Sequence, residues 1–216
     1  MYRCVIFDLD GTLLNTLDDL ADAGNHTCRL HGWPEHPVDA YKYFVGNGMA
    51  KLVERFTPVQ HRTPEELSAA LDDLMVYYNA HKEDKTKPYP GIREVLARLR
   101  EAGVQLAVLT NKAHPLAEGV MERYFPGVFP IVQGALPDRP TKPDPTLLHE
   151  LMERMGAKAG ETLFVGDSNV DIRTAKNGGL TGCGVLWGFR TADELLTEGA
   201  DHLVSTPKEL AELILR

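Results

Sequence analysis

Two aspartates one residue apart follow an apolar run near the start of the chain: Cys4-Val5-Ile6-Phe7, then Asp8-Leu9-Asp10-Gly11-Thr12. Four consecutive apolar residues fit a buried parallel strand, and Gly-Thr ends it sharply. Asp8 and Asp10 then sit at the carboxyl end of a strand, where open α/β sheets place their ligands. Carboxylates this close repel each other unless a cation or a shared proton holds them. The pair points to a hard metal ion and a carboxylate nucleophile. Taken alone, the same five residues also fit a solvated acidic turn, so the rest of the chain has to decide.

Strands must carry such residues to one place, and the chain supplies them. From about Leu17 to Lys85 no strand pattern is found. Leu17-Leu20-Ala21-Gly24 and Leu67-Leu71-Leu74-Met75-Tyr78 recur at helical spacing, Thr63-Pro64-Glu65-Glu66 is a helix start, and Asn47 to Val53 reads as a further helix. This block, residues 15–85, is expected to be an all-helical insertion after a hinge at Leu13-Leu14-Asn15-Thr16. Lys85 to Gly91 is the return linker. Beyond it, strands at Val104–Leu109, Pro130–Gln133, Thr162–Val165, Gly182–Leu186 and His202–Val204 alternate with helices. That alternation predicts an α/β fold: a Rossmann-like, three-layer core with a mostly parallel sheet, made of residues 1–14 and 86–216.

Polar groups fall at the carboxyl ends of several of these strands. They are Asp8 and Asp10, then Thr110 and Asn111, then Lys142 in a later loop, then Asp167 with Asp171 one helical turn on. Four carboxylates, one ammonium and one hydroxyl approach electrical balance once a divalent cation enters. Phosphoryl transfer gives each group a task. Asp8 would attack phosphorus and form an aspartyl-phosphate. Mg²⁺ would sit between Asp8 and a phosphate oxygen, with Asp167 and the Asp10 main-chain carbonyl as further ligands. Magnesium keeps several waters, so Asp171 is placed as an outer partner, with Ser168 beside it. Asp10 would protonate the leaving alkoxide and then deprotonate the attacking water. The Thr110 hydroxyl, the Asn111 N–H and the Lys142 ammonium would hold the phosphoryl oxygens. Each group has a plainer reading as a strand end, helix cap or solvated loop residue; their joint occurrence in this order argues against coincidence.

Four segments, Asp8-Leu9-Asp10-Gly11-Thr12, Leu109-Thr110-Asn111-Lys112, Lys142-Pro143-Asp144-Pro145 and Gly166-Asp167-Ser168-Asn169-Val170-Asp171, resemble the four motifs of the haloacid dehalogenase-like hydrolases. The helical insertion is similar to the cap of the phosphoglycolate phosphatase-like branch. So are Phe44-Val45-Gly46-Asn47-Gly48-Met49, Trp187-Gly188-Phe189-Arg190-Thr191 and Gly199-Ala200-Asp201-His202. The resemblance implies a magnesium-dependent phosphatase acting on a small phosphate monoester, phosphoglycolate by resemblance alone, with a mobile cap that excludes water. Gly46-Asn47-Gly48 would face the substrate, and Lys51 and Arg55 could neutralise a second negative group. Lys51 and Arg55 fit equally well as surface charges.

Other readings compete. Asp10 disfavours dehalogenase and phosphonatase chemistry, in which no phosphate leaving group needs a proton. A phosphosugar mutase keeps that residue, and a pyrophosphatase of the same branch fits too. A phospho-accepting receiver domain also uses an Asp, a Thr and a Lys, but is much shorter and has no inserted unit. Composition narrows the field further. The 216 residues, 43% hydrophobic and 25% charged, suit an ordinary globular protein. A net charge of −8 argues against nucleic acid or an anionic membrane as partner. No transmembrane window and no basic-then-apolar leader is present, and three scattered cysteines show no metal spacing. A cytoplasmic enzyme, monomer or homodimer, is expected.

Overall fold

A strand in the middle of a parallel sheet is covered on both faces, so every position along it must be apolar. Cys4–Phe7, buried at all four positions, is that strand. The structure is a computed structural model describing residues 1–216. In chain order its elements are β1 (Cys4–Phe7), β2 (Leu14–Asn15), α1 (Leu17–Leu30), α2 (Val38–Phe44), α3 (Met49–Phe56), α4 (Pro64–His81) and β3 (Lys87–Pro88), followed by α5 (Ile92–Glu101), β4 (Gln105–Ala113), α6 (His114–Tyr124), β5 (Ile131–Ala135) and α7 (Thr146–Met155). The chain ends with β6 (Thr162–Gly166), α8 (Asn169–Asn177), β7 (Thr181–Val185), α9 (Ala192–Thr197), β8 (His202–Val204) and α10 (Pro207–Leu215).

Residues 1–14 and 88–216 form one compact unit and residues 15–87 another. The first is built on a six-stranded sheet in the order β5-β4-β1-β6-β7-β8, with every neighbouring pair parallel. Side chains alternate between the two faces of a strand, and the core divides accordingly. Val5 and Phe7 pack with Leu106, Val108, Leu163 and Val165 against α5, α6 and α10. Cys4 and Ile6 pack with Ala107, Leu109 and Phe164 against α7 and Ala175 of α8. The result is a three-layer α/β sandwich. After β1 the chain builds outward through β4 and β5, then returns to the other side of β1 for β6, β7 and β8. Strand order therefore reverses at the carboxyl end of β1, the position where such sheets form their binding crevice.

The second unit holds α1 to α4. Thr63 caps α4 by accepting the Glu66 N–H, with Pro64 in the first turn. Asp19 is buried in α1 and accepts the N–H groups of Lys85 and Thr86 and the Thr86 hydroxyl. That one carboxylate ties the end of the unit to its first helix. Asn25 accepts the Tyr41 hydroxyl at 2.9 Å and the His36 N–H at 2.9 Å, and donates to the His36 carbonyl. No helix in the chain is long and apolar enough to cross a membrane.

Three local expectations are corrected. β4 does not stop at Leu109 but continues through Thr110, Asn111 and Lys112, all buried. Its pairing with β5 shifts register between Leu109 and Ala113, and the polar types of Thr110, Asn111 and Lys112 hid the extension from a periodicity argument. Leu14–Asn15 and Lys87–Pro88, read as hinge and linker, are two-residue strands paired with each other. The helix α2 carried too short an amphipathic pattern to be read.

Gly24 illustrates how tightly the helical unit is closed. A Cβ at this position would overlap the Tyr41 ring. Tyr41 is fully buried and its hydroxyl is bound to Asn25, so the ring has nowhere to go. Alanine would bring better helix propensity by roughly 0.5–1 kcal/mol, but overpacking costs about 1–3 kcal/mol. Gly24→Ala is expected to lower Tm by a few degrees in a thermal melt; an unchanged or higher Tm would show that the contact relaxes.

Candidate active site

Every polar residue singled out on the predicted core strands lies at the carboxyl edge of the sheet. Asp8 directly follows β1, and its N–H continues the ladder to the Val165 carbonyl at 2.9 Å. Gly11 then turns the chain with φ +87°, a conformation that side chains disfavour. It is also pressed against Asp167: a Cβ on Gly11 would overlap that carboxylate. From the same turn Thr12 donates its hydroxyl to Asp167 Oδ1 at 2.9 Å. The Phe189 N–H donates to Asp167 Oδ2 at 2.8 Å. A Cβ on Gly188 would strike Asp167 as well, and the Trp187 indole N–H reaches the Thr12 carbonyl at 3.0 Å. Asp167 is thus fixed from two loops.

The lysine in the later loop is the hub. Lys142 Nζ lies 2.6 Å from Asp171 Oδ1 and 2.8 Å from Asp8 Oδ1, and its side chain is 3% exposed. Its backbone is held by Asn111, whose side chain accepts the Lys142 N–H at 2.9 Å and donates to the Lys142 carbonyl at 3.0 Å. Asp171 is held in turn by the start of α8. Its Oδ2 accepts the Ser168 N–H at 3.0 Å and the Ser168 hydroxyl at 2.6 Å, a capping box. Both Asp171 oxygens therefore have partners. Gly166 lets α8 start this close, since a Cβ there would overlap Asp171.

Asp8, Asp167 and Asp171 bring carboxylate oxygens within 4.8 Å of one another, all buried. Against Lys142 they leave two negative charges uncompensated. Burial, then the charge of Asp171, pushes the Asp8 carboxyl up to about 7, although Lys142 pulls it down. Burial, Asp171 and Asp8 likewise hold Asp167 well above the ordinary carboxylate range. Burial alone would lower Lys142, but Asp171 and Asp8 outweigh it and hold the ammonium charged. Asp8 Oδ1 is buried, with the Lys142 ammonium 2.8 Å away. An all-carboxylate donor set two charges short of balance fits a hard divalent cation such as Mg²⁺.

Asp10 stands apart from this cluster. Lys112 Nζ lies 3.1 and 3.2 Å from its two oxygens. Thr110 is buried beside them on β4, and its Oγ1 accepts the Lys112 N–H at 3.3 Å. Gly46, Asn47, Gly48, Lys51 and Arg55 belong to the helical unit. There Arg55 donates to the Phe44 carbonyl at 2.8 Å and to Asn47 Oδ1 at 2.7 Å, bracing the loop before α3. Gly48 is the N-cap of α3. Lys51 is paired with Glu54 at 2.6 Å and does not join the Arg55–Asn47 group. Sequence reasoning assigned no role to Lys112, Thr12, Gly188 or Phe189. A lysine directly after the polar pair Thr110-Asn111 was the one available signal for the first.

Comparison with known proteins gives the family that the chain is similar to. The family model for haloacid dehalogenase-like hydrolases matches residues 5–185. A phosphoglycolate phosphatase of Vibrio parahaemolyticus is 31% identical, over 98% of this chain and 96% of that protein. One from Mesorhizobium japonicum is 33% identical over the same shares. A crystal structure of a candidate phosphoglycolate phosphatase from Lactobacillus delbrueckii subsp. bulgaricus superposes with a TM-score of 0.93 at 32% identity, covering 99% of this chain and 98% of that one.

Crowded buried carboxylates destabilise a fold that has no cation to balance them. Because the Asp8 carboxyl is raised, its contribution to stability is complete below the unfolded value of about 3.9 and is lost as pH rises through about 7. At pH 8 in chelator, Asp8→Asn is expected to raise Tm, at roughly 2–4 °C per kcal/mol relieved. A lower Tm under those conditions would show that the carboxylate is favourable as it stands.

Proposed function

The chain belongs to the haloacid dehalogenase-like hydrolases and is a phosphoric monoester hydrolase, and we propose that it cleaves a small phosphorylated metabolite through an aspartyl-phosphate on Asp8. The observation that carries this reading is the different company of the two neighbouring aspartates. Asp8 is buried among carboxylates, with an ammonium 2.8 Å from its Oδ1. Asp10 is partnered by its own lysine and is more exposed. The first environment suits bonding to phosphorus, the second suits moving protons.

The steps follow from those environments. Asp8 forms a bond to phosphorus as the ester P–O bond breaks. Asp10 gives its proton to the departing alkoxide, then takes one from the water that attacks the aspartyl-phosphate, which returns Asp8 as a carboxylate and releases phosphate. Lys142, the Thr110 hydroxyl and the Asn111 N–H neutralise and orient the phosphoryl oxygens. Asn111 also sets the Lys142 backbone. Mg²⁺, held by Asp8, Asp167 and the Asp10 main-chain carbonyl, would supply the charge neutralisation that lets a phosphate dianion meet an anionic nucleophile. Asp171 then serves as the anchor of Lys142.

Magnitude shows why so many groups converge. Phosphate monoester hydrolysis needs up to ~10²¹-fold acceleration, on the order of 28 kcal/mol. General acid–base catalysis contributes roughly 10²–10⁴. The larger part has to come from charge stabilisation and positioning.

The helical unit is assigned as the substrate-selecting cap, with Gly46, Asn47 and Gly48 as backbone donors and Arg55 as the cation for a carboxylate on the substrate; Lys51, held by Glu54, is left out of that role. The curated relatives' names make 2-phosphoglycolate the leading substrate. A cytoplasmic location is proposed with it.

In a panel of phosphate esters that includes pyrophosphate and hexose phosphates, 2-phosphoglycolate is expected to give the highest kcat/KM. A hexose phosphate in first place would redirect the substrate assignment. EDTA is expected to abolish turnover, and Mg²⁺ to restore it; full activity in chelator would remove the metal from the reaction. Asp8→Asn is expected to leave no measurable turnover. Asp10→Asn should slow both phosphorylation and dephosphorylation by roughly 10²–10⁴ in rapid-quench measurements.

A further inference from the structure

Lys112 has no part in the phosphate clamp or in the Asp8–Asp167–Asp171 cluster, yet its side chain is only 2% exposed. A buried ammonium is unfavourable unless a partner compensates it. Here that partner is Asp10. Nζ reaches Oδ1 at 3.1 Å and Oδ2 at 3.2 Å, so one cation spans both oxygens of the carboxylate. The fold explains how the two meet. β1 pairs with β4 through Phe7 and Val108, and β4 then continues beyond that last partner, alongside the segment that carries Asp10. The register shift between Leu109 and Ala113 falls on these residues.

We propose that Lys112 is the positioning residue for Asp10: its ammonium fixes the plane of the carboxylate, so that one oxygen serves both the leaving alkoxide and, later, the attacking water. This rests on the proton role given to Asp10 above. Those two oxygens arrive at the same side of phosphorus in succession, and an in-line reaction needs the acid and the base in one place. A carboxylate free to rotate would meet each of them only part of the time. Protons balance without Lys112. Asp10 loses one to the alkoxide and regains one from water, while the lysine remains an ammonium.

A double-mutant cycle tests the assignment, with phosphate release from 2-phosphoglycolate and from phenyl phosphate as probes in the presence of Mg²⁺. Lys112→Met is expected to lower kcat by roughly 10–100-fold, a fraction of the full acid–base contribution, with KM within about twofold of wild type. Lys112→Arg should restore most of the loss. In an Asp10→Asn background Lys112→Met should add nothing, since groups acting as one unit are non-additive. If circular dichroism shows that Lys112→Met does not fold, Lys112→Gln carries the same cycle. Losses that multiply in the two backgrounds would overturn the assignment and leave the role of Asp10 standing. A rise in KM alone would make Lys112 a substrate-binding group and overturn it as well. Wild-type turnover by Asp10→Asn would overturn the proton role of Asp10 and this inference with it.

Discussion

One ammonium, that of Lys142, lies within 2.8 Å of both Asp8 and Asp171 in a region almost sealed from water, and the rest of the site is arranged around that contact. An unpaired buried charge is strongly destabilising, whereas a paired one is tolerated. Removing Lys142 would leave three carboxylates facing each other with no cation from the protein. The surroundings act to keep it in place. Asn111 clamps its backbone from β4, the Ser168–Asp171 capping box presents its second partner, and the Phe164 ring lies 5.6 Å beneath Nζ. Helix capping, strand extension and loop conformation therefore all converge on one side chain.

The same economy of space governs Asp167. Gly11, Gly188 and the Thr12 hydroxyl crowd it from one strand end and one loop, and Gly166 admits the helix that carries Asp171. Small residues here are a steric requirement of placing carboxylates against backbone. They leave each acid one fixed orientation, which limits the reorganisation needed when a charged substrate arrives.

Much of this was legible from residue order. The apolar run before Asp8, the acid pair, and the alternation of strands with helices after residue 86 pointed to a parallel sheet, and the six-stranded order confirms that class. Three strand ends carrying Asp, Thr-Asn and Asp were legible because strand ends are punctuated by glycine and polar residues. The extension of β4 was not, since Thr110, Asn111 and Lys112 are polar by type and buried by tertiary context. The Lys112–Asp10 pair escaped for a related reason: its members are far apart in sequence, and only the register of β1 against β4 brings them together. Thr12 and Phe189 act on Asp167 through a hydroxyl and a backbone N–H, contacts that residue type alone does not announce.

The central strand is also synthesised before both of its sheet neighbours. β1 pairs with β4 from Gln105 and with β6 from Thr162, so on the ribosome it emerges long before either neighbour exists. At about 5–20 residues per second, the hundred or so residues to β4 take roughly 5–20 s. During that interval four apolar residues have both edges open, a state prone to pairing with other chains. The inserted helices, residues 15–87, are complete within this gap and draw their contacts from one another, so they can fold while β1 waits. Chain order thus makes the insertion a head start in biogenesis and leaves nucleation of the sheet to the downstream strands. The helical unit is expected to be protected from protease on stalled nascent chains before the carboxylate site can assemble.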